Sequence, residues 1–457
     1  MRETTLTVKK TFSDVVFLKK VLQVALPIAM QGLLNSIVNL VDNLMIGNLG
    51  ETSIAAVGLA NKVFFVFSLL VFGVCSGSGV LSAQFWGKRD LKNMRRTLGM
   101  ALTIVISCSL LFVIPSVTNP HIVMRIFTES ESTIAEGCKY LSIAALTYPL
   151  IAISNAYAAT LRAANCVKAP MYVSLVTIMI NVCLNYILIF GHFGFEAMGV
   201  AGAATATLTA RSFEAIALVT IVYVTKSPAA CRISELFGFD LRFTRLFAVT
   251  AAPVIANEFM WGLGTTIYSL VYGRMGDGAV AAVTIATTIT DLLIVFFQGT
   301  SNACAVILGN ELGADHLERA ESYAKKFVVL QLLASFVIAI LMVIVSPYFI
   351  DLFAISQQVM VDVRLCILMF ALFMPIKMYN YVNIVGILRS GGDTKYCLFL
   401  DCFGVWAIGI PLAFIGGLWL EFPIWVVFAL VMFEEFFKMV LGIRRYKKKI
   451  WLRNLTF

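Results

Sequence analysis

The chain has 457 residues, 60% of them hydrophobic and only 13% charged, with a formal net charge of +9. Ordinary globular proteins carry about a quarter charged residues, and soluble cores stop growing near ~300 residues, leaving polar surface to be covered. There is too little charge here to cover it. A soluble enzyme, a disordered tail and a nucleic-acid binder are excluded as the main identity, and the excess of positive charge calls for a membrane explanation rather than a polyanion. The expected class is an all-α integral membrane protein whose principal partner is the lipid bilayer.

The basic N-terminal stretch MRETTLTVKKTFSDVVFLKK precedes an apolar run too long for a signal-peptide core and without a small-residue cleavage site. It is read as retained, with that run as a true span. Counting stretches of about 20 apolar residues between charge clusters and Gly/Pro punctuation predicts twelve transmembrane helices. They lie near 19–47, 52–82, 93–118, 132–161, 169–190, 197–224, 246–273, 278–308, 320–346, 358–388, 395–416 and 422–443. Closed barrels are excluded, because the runs are continuous and lack period-2 alternation.

Lysine and arginine fall mostly on one side of these spans. That side holds Arg2, Lys9, Lys10, Lys19 and Lys20, the cluster from Lys88 to Arg96, and the terminal run from Arg444 to Arg453. The opposite connections hold only Arg125, Lys139, Arg274 and Arg364. By the positive-inside rule both termini are cytoplasmic, and the expected location is the cell inner (cytoplasmic) membrane. The ten cysteines are scattered without a C-x-x-C pair and read as free thiols. His121, His192 and His316 fall in connecting segments and read as surface residues rather than ligands.

The chain also repeats itself. Pro27 and Pro253, Gly47 and Gly273, Gly50 and Gly276, and Glu51 and Asp277 are all 226 residues apart, and the register continues through Gly73/Gly299 and Pro149/Pro375. One inserted residue later, LRAANCVK at 161–168 matches LRSGGDTK at 388–395. Six spans per repeat make the halves parallel in topology. The expected organisation is an N-terminal lobe at 1–225, a cytoplasmic linker at 226–245 and a C-terminal lobe at 246–457, pseudo-symmetric about a central cleft.

D-x-x-M-I-G closes the first span, A-Q-x-W-G-K-x-D follows the second, and L-R-x-x-x-x-x-K follows the fourth and tenth. The sixth contains G-V-A-G-A-A-T-A-T. In this order, on a repeated twelve-span chain, these motifs resemble the MATE (multidrug and toxic compound extrusion) transporters. The resemblance covers essentially the whole chain. It implies two six-helix lobes around a cavity and export of amphipathic, often cationic, compounds in exchange for sodium or protons.

Ionisable groups at bilayer depth cost about 2.5–3.5 kcal/mol each and face a cavity or a partner. Gln31, Asn35, Asn39 and Asp42 form one face of the first span. The repeat maps them onto Asn257, Trp261, Thr265 and Tyr268, a second stripe expected to line the substrate cavity. Polar residues merely bonding packed helices together are the alternative. Asp42 lies about 7 Å inside its helix end, and Lys62 in the second span is expected to reach it as an ion pair, unless it extends outward past it. Asn181 and Asn185 share one face of the fifth span. The family resemblance implies that Asp42, Asn181, Asn185 and Thr207 (with Thr205 the rival hydroxyl) hold the coupling cation, beside Tyr148. Oxygen ligands of this kind suit a hard cation such as sodium, although asparagine at 185 leaves a single carboxylate there.

In the second half, Glu258 is the natural countercharge for Lys377, which Asn380 and Asn383 follow at helical spacing. With Asp291 these form a second polar site or a neutralised structural network. Arg211 with Glu214, and Glu434 and Glu435 with Lys438, are expected to pair within or between helices. Pro27, Pro149, Pro253 and Pro375 are expected to mark matched kinks. Phe64 and Trp261 are candidates for an adaptable substrate surface.

The sequence therefore points to a transporter and not an enzyme: a monomeric secondary antiporter with no cofactor beyond its coupling ion, taking small amphipathic organic substrates. Two rivals remain. A flippase for a lipid-linked precursor would favour a strongly cationic cavity, for which Lys62, Arg211 and Lys377 are the available contributors. A membrane-embedded lipid enzyme would show interfacial acids or histidines at metal-binding spacing.

Overall fold

A computed structural model describes residues 11–351 and 355–456, apart from the side chains of 39, 40 and 43. Arg2, Lys9, Lys10 and the Asn39 side chain lie outside the described residues. Every described element is helical. In chain order they are α1 (Val15–Gly47), α2 (Glu51–Gly87), α3 (Leu91–Thr118), the short α4 (Pro120–Arg125), α5 (Glu131–Ala144), α6 (Thr147–Ala163), α7 (Lys168–Phe190) and α8 (Gly199–Val224). There follow the single turn α9 (Ile233–Leu236), α10 (Leu241–Met275), α11 (Asp277–Gly313), α12 (Leu317–Ile350), α13 (Gln357–Tyr381), α14 (Thr394–Cys402), α15 (Ile410–Phe414), α16 (Ile424–Met432) and α17 (Glu434–Lys447).

Ten helices are long and apolar enough to cross a membrane, and α5 with α6 makes an eleventh as a pair bent by 43°. The protein is a multi-pass membrane protein. The span expected at 422–443 is broken at Phe433 into α16 and α17, and Glu434, Glu435 and Lys438 interrupt its apolar run. The paired prolines do not produce identical distortions. The bend between α5 and α6 immediately precedes Tyr148 and Pro149, whereas beyond Pro375 the helix continues into a π turn at Val382–Leu388. Wide turns of that kind free side chains from the regular ladder, and here they carry Asn383.

The chain packs as two compact units, residues 30–255 and residues 1–29 together with 256–457. Both divisions fall inside a helix, two residues beyond Pro27 in α1 and two beyond Pro253 in α10, at positions the repeat makes equivalent. The first part of α10 thus belongs with residues 30–255. There Gly73 and Gly77 of α2 let it approach so closely that a Cβ on either glycine would sit 2.7 Å from the Cα of Ile255 or Ala251. The first part of α1 belongs with residues 256–457, where a Cβ on Gly299 of α11 would sit 2.7 Å from the Cβ of Ala29. Small residues at such crossings supply the close packing that apolar solvent cannot drive.

The start of α1 is further fastened within its unit. Lys20 pairs with Glu311 at 2.9 Å, Phe17 packs edge-on against Phe327, and Asp14, just before the helix, pairs with Lys326. That ammonium holds the Asp14 carboxyl below its usual range. The turns entering α2 and α11 also match: Gly50 and Gly276 cap them with φ of 102° and 114°, a region open to glycine. Glu51 and Asp277 follow as the first helical residues, where a carboxylate suits the helix dipole.

Gly73→Ala and Gly299→Ala are expected to destabilise the protein by about 1–3 kcal/mol through overpacking. Gly79→Ala, with nothing within 4 Å of the added carbon, should be neutral or slightly stabilising. Thermal unfolding of the purified variants checks this.

Candidate functional site

Residues 30–255 enclose a cavity of about 380 Å³. Its walls come from helical faces read at regular spacing: Asn35, Val38, Asp42 and Ile46 of α1, and Ser174, Thr177, Ile178, Asn181 and Asn185 of α7. Asn61, Phe64 and Phe65 of α2, Tyr140 of α5, Tyr148 of α6, and Thr207, Arg211 and Glu214 of α8 complete it. Tyr148 is held by stacking on Phe67 at 4.8 Å.

At one end a chain of hydrogen bonds joins three helices. The Asn185 amide donates to the Asp42 carboxylate at 2.6 Å and, at 3.4 Å, to Oδ1 of Asn181. The Asn181 amide donates to the Thr207 hydroxyl at 3.3 Å, which donates to the carbonyl of Ala203. Every donor in this chain is neutral, so none cancels the charge of Asp42. Oδ1 of Asn185 is buried without a hydrogen-bond partner. The carboxylate, two amide oxygens and a hydroxyl form an oxygen-rich donor set of the type a hard cation takes. Thr205, the rival hydroxyl, bonds its own helix at Ala201 and does not line the cavity.

At the other end, the Gln31 amide donates to Ser174 at 2.8 Å, and the Ser174 hydroxyl donates to Glu214 at 3.3 Å. Arg211 donates to the same carboxylate at 2.7 Å. The expected Arg211–Glu214 pair is therefore present, and it faces the cavity. Lys62 corrects an expectation: it is exposed, lines no part of this cavity, and Arg211 is the cation whose charge acts on Asp42. Its neighbour Asn61 lines the wall instead. One residue along a helix is a rotation of about 100°, which carries the lysine away.

The unit containing 256–457 treats its charges differently. Glu258 does not pair with Lys377 as expected, but with buried Arg389 at 2.8 Å. Lys377 pairs with Glu435 at 3.2 Å, to which Asn380 also donates at 2.8 Å. Lys438, only 4% exposed, sits 2.9 Å from Glu434 and 3.7 Å from Asp401. Tyr268 donates to Glu434 at 2.8 Å and Asn257 to Asp401 at 2.9 Å. Asp291 is exposed and makes no ion pair within this network among the described residues, although the charge of Lys377 acts on it. Trp261 is 45% exposed, and Thr265 bonds back to Gly262.

The two units share one pattern. An amide from the first helix of each repeat (Gln31, Asn257) reaches the fifth (Ser174, Asp401), which contacts a charge on the sixth (Glu214, Lys438). Reading the sequence missed Asp401 as the anchor of this bridge and did not single out Arg389. A lone acid inside an apolar run was the available signal for Asp401. For Arg389, which follows the helix in a 3₁₀ turn, no local pattern announces burial.

The description of the MatE family matches residues 27–187 and again 253–415, so the two matches begin at the paired prolines. The chain is 24% identical to "Uncharacterized transporter YisQ" of Bacillus subtilis, covering 90% of each protein. It is 24% identical to "Probable multidrug resistance protein NorM" of Thermotoga maritima, covering 87% of this chain and 85% of that one. Among solved structures, a MATE in the bent conformation superposes with a TM-score of 0.86 at 18% identity, covering 95% of each chain. A MOP-superfamily transporter from Pyrococcus furiosus, described as having a binding pocket of reversed polarity, gives 0.85 at 18% identity over 94% of this chain and 95% of that one. These likenesses establish a shared twelve-helix transporter fold.

Removing one partner of a buried ion pair strands the other, at a cost of about 3–5 kcal/mol. Arg389→Met should show a loss of that size in thermal unfolding, and Lys62→Met none.

Proposed function

The chain belongs to the MatE family, and from that premise we propose that it is a secondary antiporter exporting amphipathic organic cations by alternating access, in exchange for sodium or protons. As a member of that family it is a transporter rather than an enzyme. The observation carrying the coupling assignment is Asp42, a carboxylate at membrane depth that accepts a hydrogen bond from a neutral amide. Such a group is expensive to keep charged without a cation. A proton or sodium ion arriving there removes the charge, and its departure restores it, so ion occupancy becomes a change in local electrostatics that a cavity can sense.

Asn181, Asn185 and Thr207 supply the remaining oxygens around the ion, while Tyr148 and Phe64 shape the adjoining wall. The second unit serves as a neutralised scaffold, since each carboxylate of the Glu258, Asp401, Glu434 and Glu435 network touches a tethered cation. The names of the relatives, with multidrug resistance among them, favour small organic substrates. The flippase reading has less support: Lys62 is turned out of the described cavity, Lys377 is already paired with Glu435, and Arg211, which does line the cavity, is already paired with Glu214. We place the protein in the cytoplasmic membrane as a monomer with both termini inside, on the distribution of lysine and arginine. Residues 1–225 and 246–457 are read as its two functional repeats, joined by the linker at 226–245.

In vesicles, wild type should drive dye efflux under a sodium or a proton gradient, and Asp42→Asn should lower gradient-driven efflux at least about tenfold. Efflux of Asp42→Asn at the wild-type rate under both gradients rejects the assignment.

A further inference from the structure

Two carboxylates, Asp42 and Glu214, line the cavity of residues 30–255 together with a single tethered cation, Arg211. The other titratable side chains facing it are the phenols of Tyr140 and Tyr148. Arg211 satisfies one carboxylate at a time in the arrangement observed, donating to Glu214, while Asp42 is contacted by an amide. The second unit shows the contrast, because there every carboxylate of the buried network has a lysine or arginine within 4 Å.

Glu214 is well prepared to stand without its arginine. It is buried and keeps a hydrogen bond from Ser174, itself oriented by Gln31. Its carboxylate would then face the cavity, fixed in direction and uncompensated, a combination that attracts a cation strongly in a low-dielectric site. Arg211 also has somewhere to go. It lies one helical turn, about 5.4 Å, from Thr207, which closes the hydrogen-bond chain to Asp42. From Thr207 the hydrogen-bond chain runs on through Asn181 and Asn185, Arg211 and Asp42 line the same cavity, and the Arg211 charge already acts on Asp42. The guanidinium geometry suits either carboxylate.

We propose that Arg211 is a tethered competitor for the mobile cations of this cavity: it leaves Glu214 for Asp42 when Asp42 gives up its ion, and Glu214, so uncovered, receives the cationic group of an organic substrate. This rests on the reading of Asp42 as the coupling site and adds a separate substrate-binding carboxylate to it. Coupling ion and substrate then exclude each other without sharing a ligand, because one arginine serves two acids. Exclusion of this kind is a coupling free energy and is the same measured from either ligand.

The test uses the purified full-length protein and ethidium, with binding followed by fluorescence at increasing sodium and, separately, at decreasing pH. Wild type should bind ethidium and lose affinity as sodium or protons fill Asp42. Glu214→Gln should weaken ethidium binding about tenfold or more and, by leaving Arg211 only Asp42 to pair with, also weaken sodium-22 binding or proton uptake there. Arg211→Met should bind ethidium and the ion together, its ethidium affinity no longer responding to sodium or acid. Arg211→Lys should restore the response, which separates the role of the charge from a folding defect. If Arg211→Met keeps the full wild-type response, or Glu214→Gln binds ethidium unchanged, the arginine exchange is wrong while Asp42 remains the coupling group. A wild type that binds no ethidium, or whose binding responds to neither ion, overturns the exchange and the coupling reading with it.

Discussion

A carboxylate inside a membrane protein needs a positive charge beside it, and the origin of that charge decides what the carboxylate can do. A tethered cation gives a fixed ion pair, costly to break and useful for holding helices. A mobile cation gives a site whose occupancy changes. The unit containing residues 256–457 uses the first solution for Glu258, Asp401, Glu434 and Glu435. The unit of residues 30–255 leaves Asp42 with the amide of Asn185, and so keeps the second solution open.

The repeat makes this difference meaningful. Both units have a first-helix amide bonded to the fifth helix of the repeat, Gln31 to Ser174 and Asn257 to Asp401. Both place a charge of the sixth helix against that fifth-helix residue, but the charge is Glu214 in one unit and Lys438 in the other. Position 42 is aspartate in one half, and its repeat counterpart is Tyr268, whose hydroxyl is committed to Glu434. A common scaffold has thus been filled with opposite electrostatics. The matched close approaches at Gly73 and Gly299 bind the first part of α10 and of α1 into their respective units, so each of these helices runs from one unit into the other near its proline.

Much of this was legible in the amino-acid sequence. The span positions follow from runs of apolar residues ended by glycine, proline and charge, and the observed helices begin and end close to them. The repeat offset paired Pro27 with Pro253 and Gly50 with Gly276, but that the units divide two residues beyond those prolines was not read from it. The grouping of Asp42, Asn181, Asn185, Thr207 and Tyr148 came from family resemblance, and the structure brings these side chains to one cavity. What failed was pairing between distant elements. Depth in the membrane suggested Lys62 for Asp42 and Lys377 for Glu258, but facing direction is set by helix rotation, and Lys62 is turned away while Asn61 faces in. Arg389, Glu435 and Asp401 became partners only through packing between helices far apart in the chain. A helix ending in a π turn and a 3₁₀ turn hides such a register from any regular periodicity.

The central claim, that Asp42 changes its charge by trading a cation inside the cavity, is tested most directly by infrared difference spectroscopy of its carboxyl group. On adding sodium, or on raising the pH, wild type should show a protonated-carboxyl band lost and carboxylate bands altered, and Asp42→Asn should lack that signal. An identical difference spectrum from Asp42→Asn, or no carboxyl change in wild type under either condition, would contradict the account.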